Sequence, residues 1–392
     1  MTAWGWRRLA PLLLLLWLAA CAAPPPPRLT LEPARFDNLP GWQQDQIGHA
    51  LAAFRRSCAA FAKRDASAPS GPAALHLTAG DWHDACGAAA AVGDDDAAAR
   101  GFFERYFTPY LAGNNGSPDG LFTGYYEPLL HGARQRGGPY QTPILRRPPD
   151  LVSVDLGRFR PAWHGERIAG RVVNGALVPY ATRAAIEHGA LDAQNLALLW
   201  VDNPVDAFFL QVQGSGRVEL PDGSMVGLGY DGQNGQTYVA IGRLLIARGI
   251  LTPETTSLQS IRAWIAAHPS EGAALMDENP SYVFFRETGS DGPIGGEGVV
   301  LTPRRSLAVD AKFIPLGAPI YLAASGGDIQ LERLMVAQDV GGAISGPVRG
   351  DVFWGFGADA ETKAGAMRAH GRYYLLLPKS ATLPIAVAAR RG

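Results

Sequence analysis

From Ile47 onward the apolar positions Ile47, Leu51, Phe54, Cys58 and Phe61 recur three or four residues apart, which predicts an amphipathic helix with one face turned inward. Asp94 to Asp96 suit a helix N-terminus, so a second helix is expected there, burying Phe102, Phe103, Tyr106 and Phe107. Beyond the loop from Gly113 to Gly120 the pattern changes. Leu121 to Leu130, LFTGYYEPLL, is rich in aromatic and β-branched residues, and strands are expected to dominate up to about Asp231. Asn174-Gly175 between Val172 and Val178 is a hairpin signal, because this pair accepts the positive φ angles of a tight turn. Thr182 can cap a short helix running through Glu187. Asn203-Pro204 then breaks the chain before a strand expected from Ala207 to Gln213.

Helical spacing returns from Thr237 to Arg248 and from Leu258 to His268, with a short helix before Asn279. Strands are expected from Tyr282 onward, at Val299–Leu301, Ile320–Leu322, Leu334–Asp339, Val352–Trp354 and Tyr373–Leu377. The fold class is therefore mainly β with flanking helices, and helices on both sides of a central β block suggest one domain inserted in another. The chain's 392 residues, 47% hydrophobic and 18% charged, suffice for two cores. A net charge of −1 gives no electrostatic footprint for nucleic acid.

Residues 1–20 carry Arg7 and Arg8, an apolar run from Leu9 to Leu18, and the small pair Ala19-Ala20. The run falls short of the roughly 20 apolar residues that span a bilayer and has the layout of an export signal. Leu18-Ala19-Ala20-Cys21 resembles the bacterial lipobox, which implies cleavage before Cys21 and acylation of its thiol. With Ala22 after it, the resemblance implies a lipid anchor on the periplasmic face of the outer membrane. The alternative is an ordinary signal peptide with an incidental Cys. Residues 21–35, with Pro24 to Pro27, are expected to form a stiff tether. In an oxidising compartment Cys58 and Cys86 either pair, closing a loop worth about 3–4 kcal/mol, or stay as buried thiols.

Candidate chemistry centres on Arg333 to Gly357, where an apolar strand runs into Asp339, turns through Gly341 and Gly342, and recovers after Asp351. An acid at the end of an apolar strand loses solvation, which raises its pKa towards the range of a proton donor. The two glycines leave the backbone open to a bulky substrate. Turn formation alone also explains Asp before Gly. Other chemistries lack their motifs. The eight histidines show no His-x-x-x-His pair and the cysteines do not cluster, so no metal and no cofactor is expected. Gly214-Ser215-Gly216 lacks the Lys of a phosphate loop, and no Gly-x-Ser-x-Gly elbow occurs. The carboxylates, amides and aromatics that remain suit carbohydrate.

Four ordered motifs then make the pattern specific: FTGYYEP at Phe122–Pro128, VQGSGRVEL at Val212–Leu220, YVFFRE at Tyr282–Glu287 and LMVAQDVGGAISG at Leu334–Gly346. Over roughly Leu121 to Leu377 the chain resembles the membrane-bound lytic murein transglycosylase A family. The resemblance implies a double-psi β-barrel domain, with its helices over 36–127 and 232–380, and a second β domain inserted at 128–231. A groove between them would hold a peptidoglycan glycan strand. The implied reaction cleaves the β-1,4 bond between N-acetylmuramic acid and N-acetylglucosamine without water and leaves 1,6-anhydromuramic ends, with Asp339 as acid and then base. Asp351 and Asp310 are candidates for tuning that acid or, equally, for turn formation. Thr123, Tyr125, Tyr126, Gln211, Gln213 and Ser215 fall on the motifs of the two groove walls as sugar-binding candidates, though one of the adjacent tyrosines should face the core. Glu127 is a rival acid and Trp354 is expected in the core. A hydrolase using Asp351 to activate water, and a non-catalytic wall-binding module, are the competing functions.

Overall fold

The computed structural model describes residues 25–93, 95–289 and 292–384; the signal region, Cys21 and Asp94 lie outside them. The chain opens on an edge strand, β1 (Leu29–Pro33), with Leu29 and Leu31 buried. The expected tether therefore ends earlier than residue 35, because these apolar residues find a neighbouring strand. Helix α1 (Ile47–Phe61) buries the face that its spacing predicts. Helix α2 (His83–Ala89) is joined to it by a Cys58–Cys86 disulfide, with the Cα atoms 5.3 Å apart. Helix α3 (Asp96–Tyr106) is capped by Asp95, whose carboxylate accepts from Ala98 N at 2.8 Å. Phe102, Phe103 and Phe107 are buried and Tyr106 is half-buried, but Phe107 already opens β2 (Phe107–Asn114), a strand that runs into the loop expected from Gly113.

After β3 (Gly120–Glu127) a single residue, Pro128, leads into the second β unit: β4 (Leu129–Ala133), β5 (Thr142–Leu145), β6 (Val152–Asp155), β7 (Arg167–Val173) and β8 (Ala176–Val178). The β7–β8 hairpin turns at Asn174 (φ 50°) and Gly175 (φ 80°), as the Asn-Gly pair predicts. Helix α4 (Arg183–Glu187) is capped by Thr182, and β9 (Ala197–Val201) follows. Residues 207–213 are not the expected strand but most of a helix, α5 (Pro204–Gln213). Asn203 is its cap, accepting from Val205 N at 2.9 Å, Pro204 takes the first helical position, and Gly214 (φ 79°) ends it. The supposed chain break is thus a helix start; a short apolar run buried on several sides carries no period that separates helix from strand.

β10 (Ser215–Glu219), β11 (Met225–Gln233), α6 (Ile241–Ala247), α7 (Leu258–Ala267), α8 (Pro269–Asp277) and β12 (Val283–Thr288) complete this unit. Its main sheet has the order β12-β11-β10-β4-β9-β5, and β6, β7 and β8 form a small separate sheet. The expected boundary at 231/232 falls inside β11. Beyond it, α6 to α8 pack Ile241, Leu245, Ile265 and Leu275 against Phe208 and Phe209 of α5, and β12 belongs to the same sheet. Val299–Leu301, expected as a strand, contributes only an isolated bridge between Ile294 and Val300.

The chain returns with β13 (Ser306–Val309), β14 (Pro319–Gly326), β15 (Ile329–Asp339), β16 (Arg349–Phe356), α9 (Ala358–Ala366) and β17 (Arg368–Pro378). With β3 these close a six-stranded ring in the order β3-β16-β13-β15-β14-β17-β3, in which β3 runs parallel to β16 and β13 parallel to β15. This is a double-psi β-barrel. Leu334 to Gln338 on β15 are all buried, because one face fills the barrel and the other lies under α1. Gln338 Nε2 donates to Ala53 O of α1 at 2.9 Å. Arg305 and Asp45, both buried, pair bidentately at 2.8 and 2.9 Å, and Asp45 also accepts from Leu334 N at 2.7 Å, fixing the start of α1 to the barrel.

Candidate active site

Asp339 is the last residue of β15, and its carboxylate is gripped from three directions. Tyr125 Oη donates to Oδ2 at 2.7 Å, while Gly296 N and Val340 N donate to Oδ1 at 2.8 and 2.9 Å. Burial raises its pKa; the three hydrogen bonds, which favour the charged form, only offset that. Each carboxylate oxygen offers two lone pairs, so Oδ1 is filled and Oδ2 keeps one for a proton. The Tyr125 hydroxyl is pushed well above its ordinary value, first by burial and then by Asp339, and stays a donor.

The barrel ladders carry the neighbouring carboxylate. Asp339 and Asp351 each lie opposite Ala308 of β13, and Asp351 lies opposite Thr123 of β3, so the row Asp339, Ala308, Asp351, Thr123 crosses four strands. Asp351 accepts from Thr123 Oγ1 at 2.7 Å, and Thr123 Oγ1 accepts from Arg349 Nη2 at 2.8 Å. Its pKa is pushed up to about 6 by burial, held back by Arg349 and Thr123, and raised a little more by Asp339. Asp310 has a different place. Its Oδ2 accepts from Gly346 N at 2.8 Å and its Oδ1 from Lys312 N at 3.0 Å, so it secures the far end of the glycine-rich loop. A Cβ on Gly342 would meet nothing within 4 Å, so packing does not require glycine there and the backbone lies bare.

Several candidate wall residues turn elsewhere. Tyr125 points to Asp339, but Tyr126, on the opposite side of the strand, is 2% exposed and joins the main core. Gln211 is buried, accepting from Arg183 Nη2 at 2.8 Å and Val283 N at 3.1 Å. Gln213 accepts from Tyr126 N at 3.1 Å, tying α5 to the barrel strand, and Ser215 is buried at the start of β10. The rival acid Glu127 is 3% exposed and paired with Arg217 Nε at 2.9 Å. Trp354 is buried, donating to Met367 Sδ at 3.4 Å. Arg349 and Gly296 were not legible as site residues. Gly295-Gly296 is the signal that could have found the latter: a Cβ on Gly295 would lie 2.4 Å from Gln338 O, so only glycine lets this loop rest on β15. Among the described residues no group of three or more His, Cys, Asp or Glu is placed to hold a metal ion, and no helix is long and apolar enough to cross a membrane.

A half-buried acid at the end of a double-psi barrel strand, in a chain that also carries a large inserted β unit, defines the class. Family models match in the same two places: one described as the MltA specific insert domain at residues 121–286, and one described as the 3D domain at 305–377. Membrane-bound lytic murein transglycosylase A of Escherichia coli K12 is 36% identical over 264 residues, an alignment that spans 65% of this chain and 65% of that protein's length. The crystal structure of a membrane-bound lytic murein transglycosylase from Agrobacterium tumefaciens is 35% identical and superposes with a TM-score of 0.77 over 89% of this chain and 98% of that one. E. coli MltA with bound chitohexaose, 31% identical, has a TM-score of 0.60 over 76% and 84% of the two chains. The chain belongs to the membrane-bound lytic murein transglycosylase A family.

Proposed function

We propose that this protein is a lytic transglycosylase of peptidoglycan, and that Asp339 is its single acid and base. The observation that carries the proposal is the carboxyl of Asp339, held by three donors, raised in pKa by burial, and left with one open lone pair on Oδ2. Protonated, it gives its proton to the glycosidic oxygen as the bond from that oxygen to C1 of the muramoyl residue breaks. The carboxylate then takes the proton of the muramoyl C6 hydroxyl as its oxygen bonds to C1, closing the 1,6-anhydro ring without water. Asp351 adjusts the pKa of Asp339, Asp310 holds the glycine-rich loop, and Gly341 and Gly342 leave room for the sugar. A family member with bound chitohexaose supports an oligosaccharide in the groove. Acylation at Cys21 anchors the enzyme to the periplasmic face of the outer membrane; Cys21→Ser abolishes lipidation, and unchanged acylation of that variant removes the anchor from the proposal.

The test is mass analysis of muropeptides released from purified sacculi. Asp339→Asn keeps the shape and cannot supply the proton, so release falls by about 10²–10⁴-fold or more while glycan binding survives. A folded variant with more than about a tenth of wild-type activity, set against that range, assigns the acid elsewhere. The raised pKa of Asp351 favours one second reading, hydrolysis by water activated at Asp351. Its products are heavier than the anhydro ends by one water.

A further inference from the structure

The carboxyl of Glu297 lies behind the site and takes no part in the steps above. It follows Gly295-Gly296 in the loop between β12 and β13, and its side chain turns back under α1. There Ser57 Oγ donates to Glu297 Oε2 at 2.7 Å, while Oε1 is buried with no hydrogen-bond partner. Ser57 is fully buried and also accepts from Gln338 Nε2 at 2.9 Å; the Gln338 Oε1 in turn accepts from Ser306 Oγ at 2.6 Å. The backbone closes the same circuit, because Glu297 N donates to Gln338 O at 3.1 Å and the preceding N–H, that of Gly296, donates to Asp339 Oδ1. One face of Glu297 is thus tied to the residue before the acid and its chain neighbour to the acid itself. Farther along, Arg56 Nη1 of α1 pins the loop at Val300 O and Thr302 Oγ1, each at 3.0 Å.

We propose that Glu297 is a positioning residue for Asp339: by holding the loop between α1 and the end of β15 it fixes the Gly296 N–H on Oδ1 of the acid. The inference rests on the reading of Asp339 as the acid. A neutral carboxyl suits the place. Burial pushes Glu297 up to about 7, against the opposing effects of the Ser57 hydroxyl and of Arg64, just past the end of α1. From β15 the titratable group nearest the circuit is Asp339 itself. A Cβ on Gly317 would stand 2.6 Å from Glu297 Oε1 and 2.3 Å from Phe61 Cζ, so the turn before β14 closes the remaining side and admits no larger residue. Ionised, the group would carry charge on a buried oxygen that finds no donor, which burial disfavours.

The experiment follows the carboxyl carbon of Asp339 by ¹³C NMR through a pH titration of the full chain, with Asp339→Asn to assign the signal. Removing a donor to a carboxylate raises its pKa, so in Glu297→Ala Asp339 titrates higher by on the order of half a unit to one unit. In the same variant kcat for muropeptide release falls about tenfold with KM little changed, the signature of a displaced reacting group. Glu297→Gln, which keeps the bond from Ser57 and cannot ionise, recovers at least half of both changes and extends the basic limb of the pH profile. Ser57→Ala loosens the loop from the helix side and moves the Asp339 titration in the same direction as Glu297→Ala. An Asp339 that titrates as in wild type in Glu297→Ala or Ser57→Ala overturns the proposal, and so does a Glu297→Gln as impaired as Glu297→Ala. The titration needs no turnover, so its outcome stands apart from whether the enzyme makes anhydro products.

Discussion

Replacing Asp351 by Asn removes a titrating group and leaves the shape and the bond accepted from Thr123 Oγ1 in place. Two effects follow. The folded pKa, about 6, lies above the ordinary value of 3.8, so folding favours the protonated form. The resulting cost is absent well below pH 4, grows as pH rises through the interval between the two values, and is complete by pH 8. A difference of about two units at 1.36 kcal/mol each corresponds to about 2–3 kcal/mol. Asp351→Asn is therefore more stable than wild type by about that amount at pH 8 and no more stable at pH 3. The second effect is on Asp339. The two acids flank Ala308 on strands two ladder spacings apart, about 10 Å. At an effective dielectric of about 20 two charges at that separation repel by about 1.7 kcal/mol, and solvent in the cleft screens part of this. Removing it lowers the Asp339 pKa, and the basic limb of kcat/KM moves down in pH while turnover remains measurable. The assay is muropeptide release from sacculi between pH 4 and 9, with denaturant melts of both proteins at pH 3 and pH 8. An unmoved or upward-moved limb, or a stability difference equal at both pH values, refutes the electrostatic argument.

Asp45→Ala strands Arg305 in the interior without its bidentate partner, and loss of one member of a buried pair costs about 3–5 kcal/mol. A thermal melt showing less than about 1 kcal/mol of destabilisation, far below that range, contradicts the packing described here. Cys58→Ser with Cys86→Ser, or reduction of the native protein, lowers stability by about 3–4 kcal/mol in the chain-entropy account. Thiol labelling of the unreduced, denatured wild type detects neither cysteine of the pair, and labelling of both removes the bond.

Where one side of an element meets water, periodicity made it legible, as in α1 with its single buried face. Local chemistry served equally well at Asn174-Gly175 and Thr182, since a turn and a cap are decided by a few neighbours. The barrel strands were visible only as apolar runs, because burial on both faces erases the alternation, and the same loss turned α5 into an expected strand. At the site, Asp339 could be singled out because a strand-end acid before two glycines is a local pattern. Gly296, on a loop 43 residues away, could not; Tyr125 was marked by its motif as a sugar-binding candidate, but its bond to Asp339, made by ring closure across 214 residues, left no trace in the spacing. Gln211 and Tyr126 show the converse: polar and aromatic residues on a matched motif serve internal bonds and the core.

Ring closure also sets the order of assembly. β3 finds both its partners near the far end of the chain, with Thr123 opposite Asp351 on one side and Arg368 on the other. One edge stays unsatisfied until β16 exists and the other until β17, the last strand, and such long-range pairing is slow because the intervening chain must first be gathered. The Cys58–Cys86 link, only 28 residues apart, and the inserted unit between β3 and β13 need no such wait. A chain gathered from its N-terminus can thus close its disulfide and its insert while β3 remains an open template, exposed to wrong partners. Asp339 acquires Tyr125 as a donor only when that vigil ends.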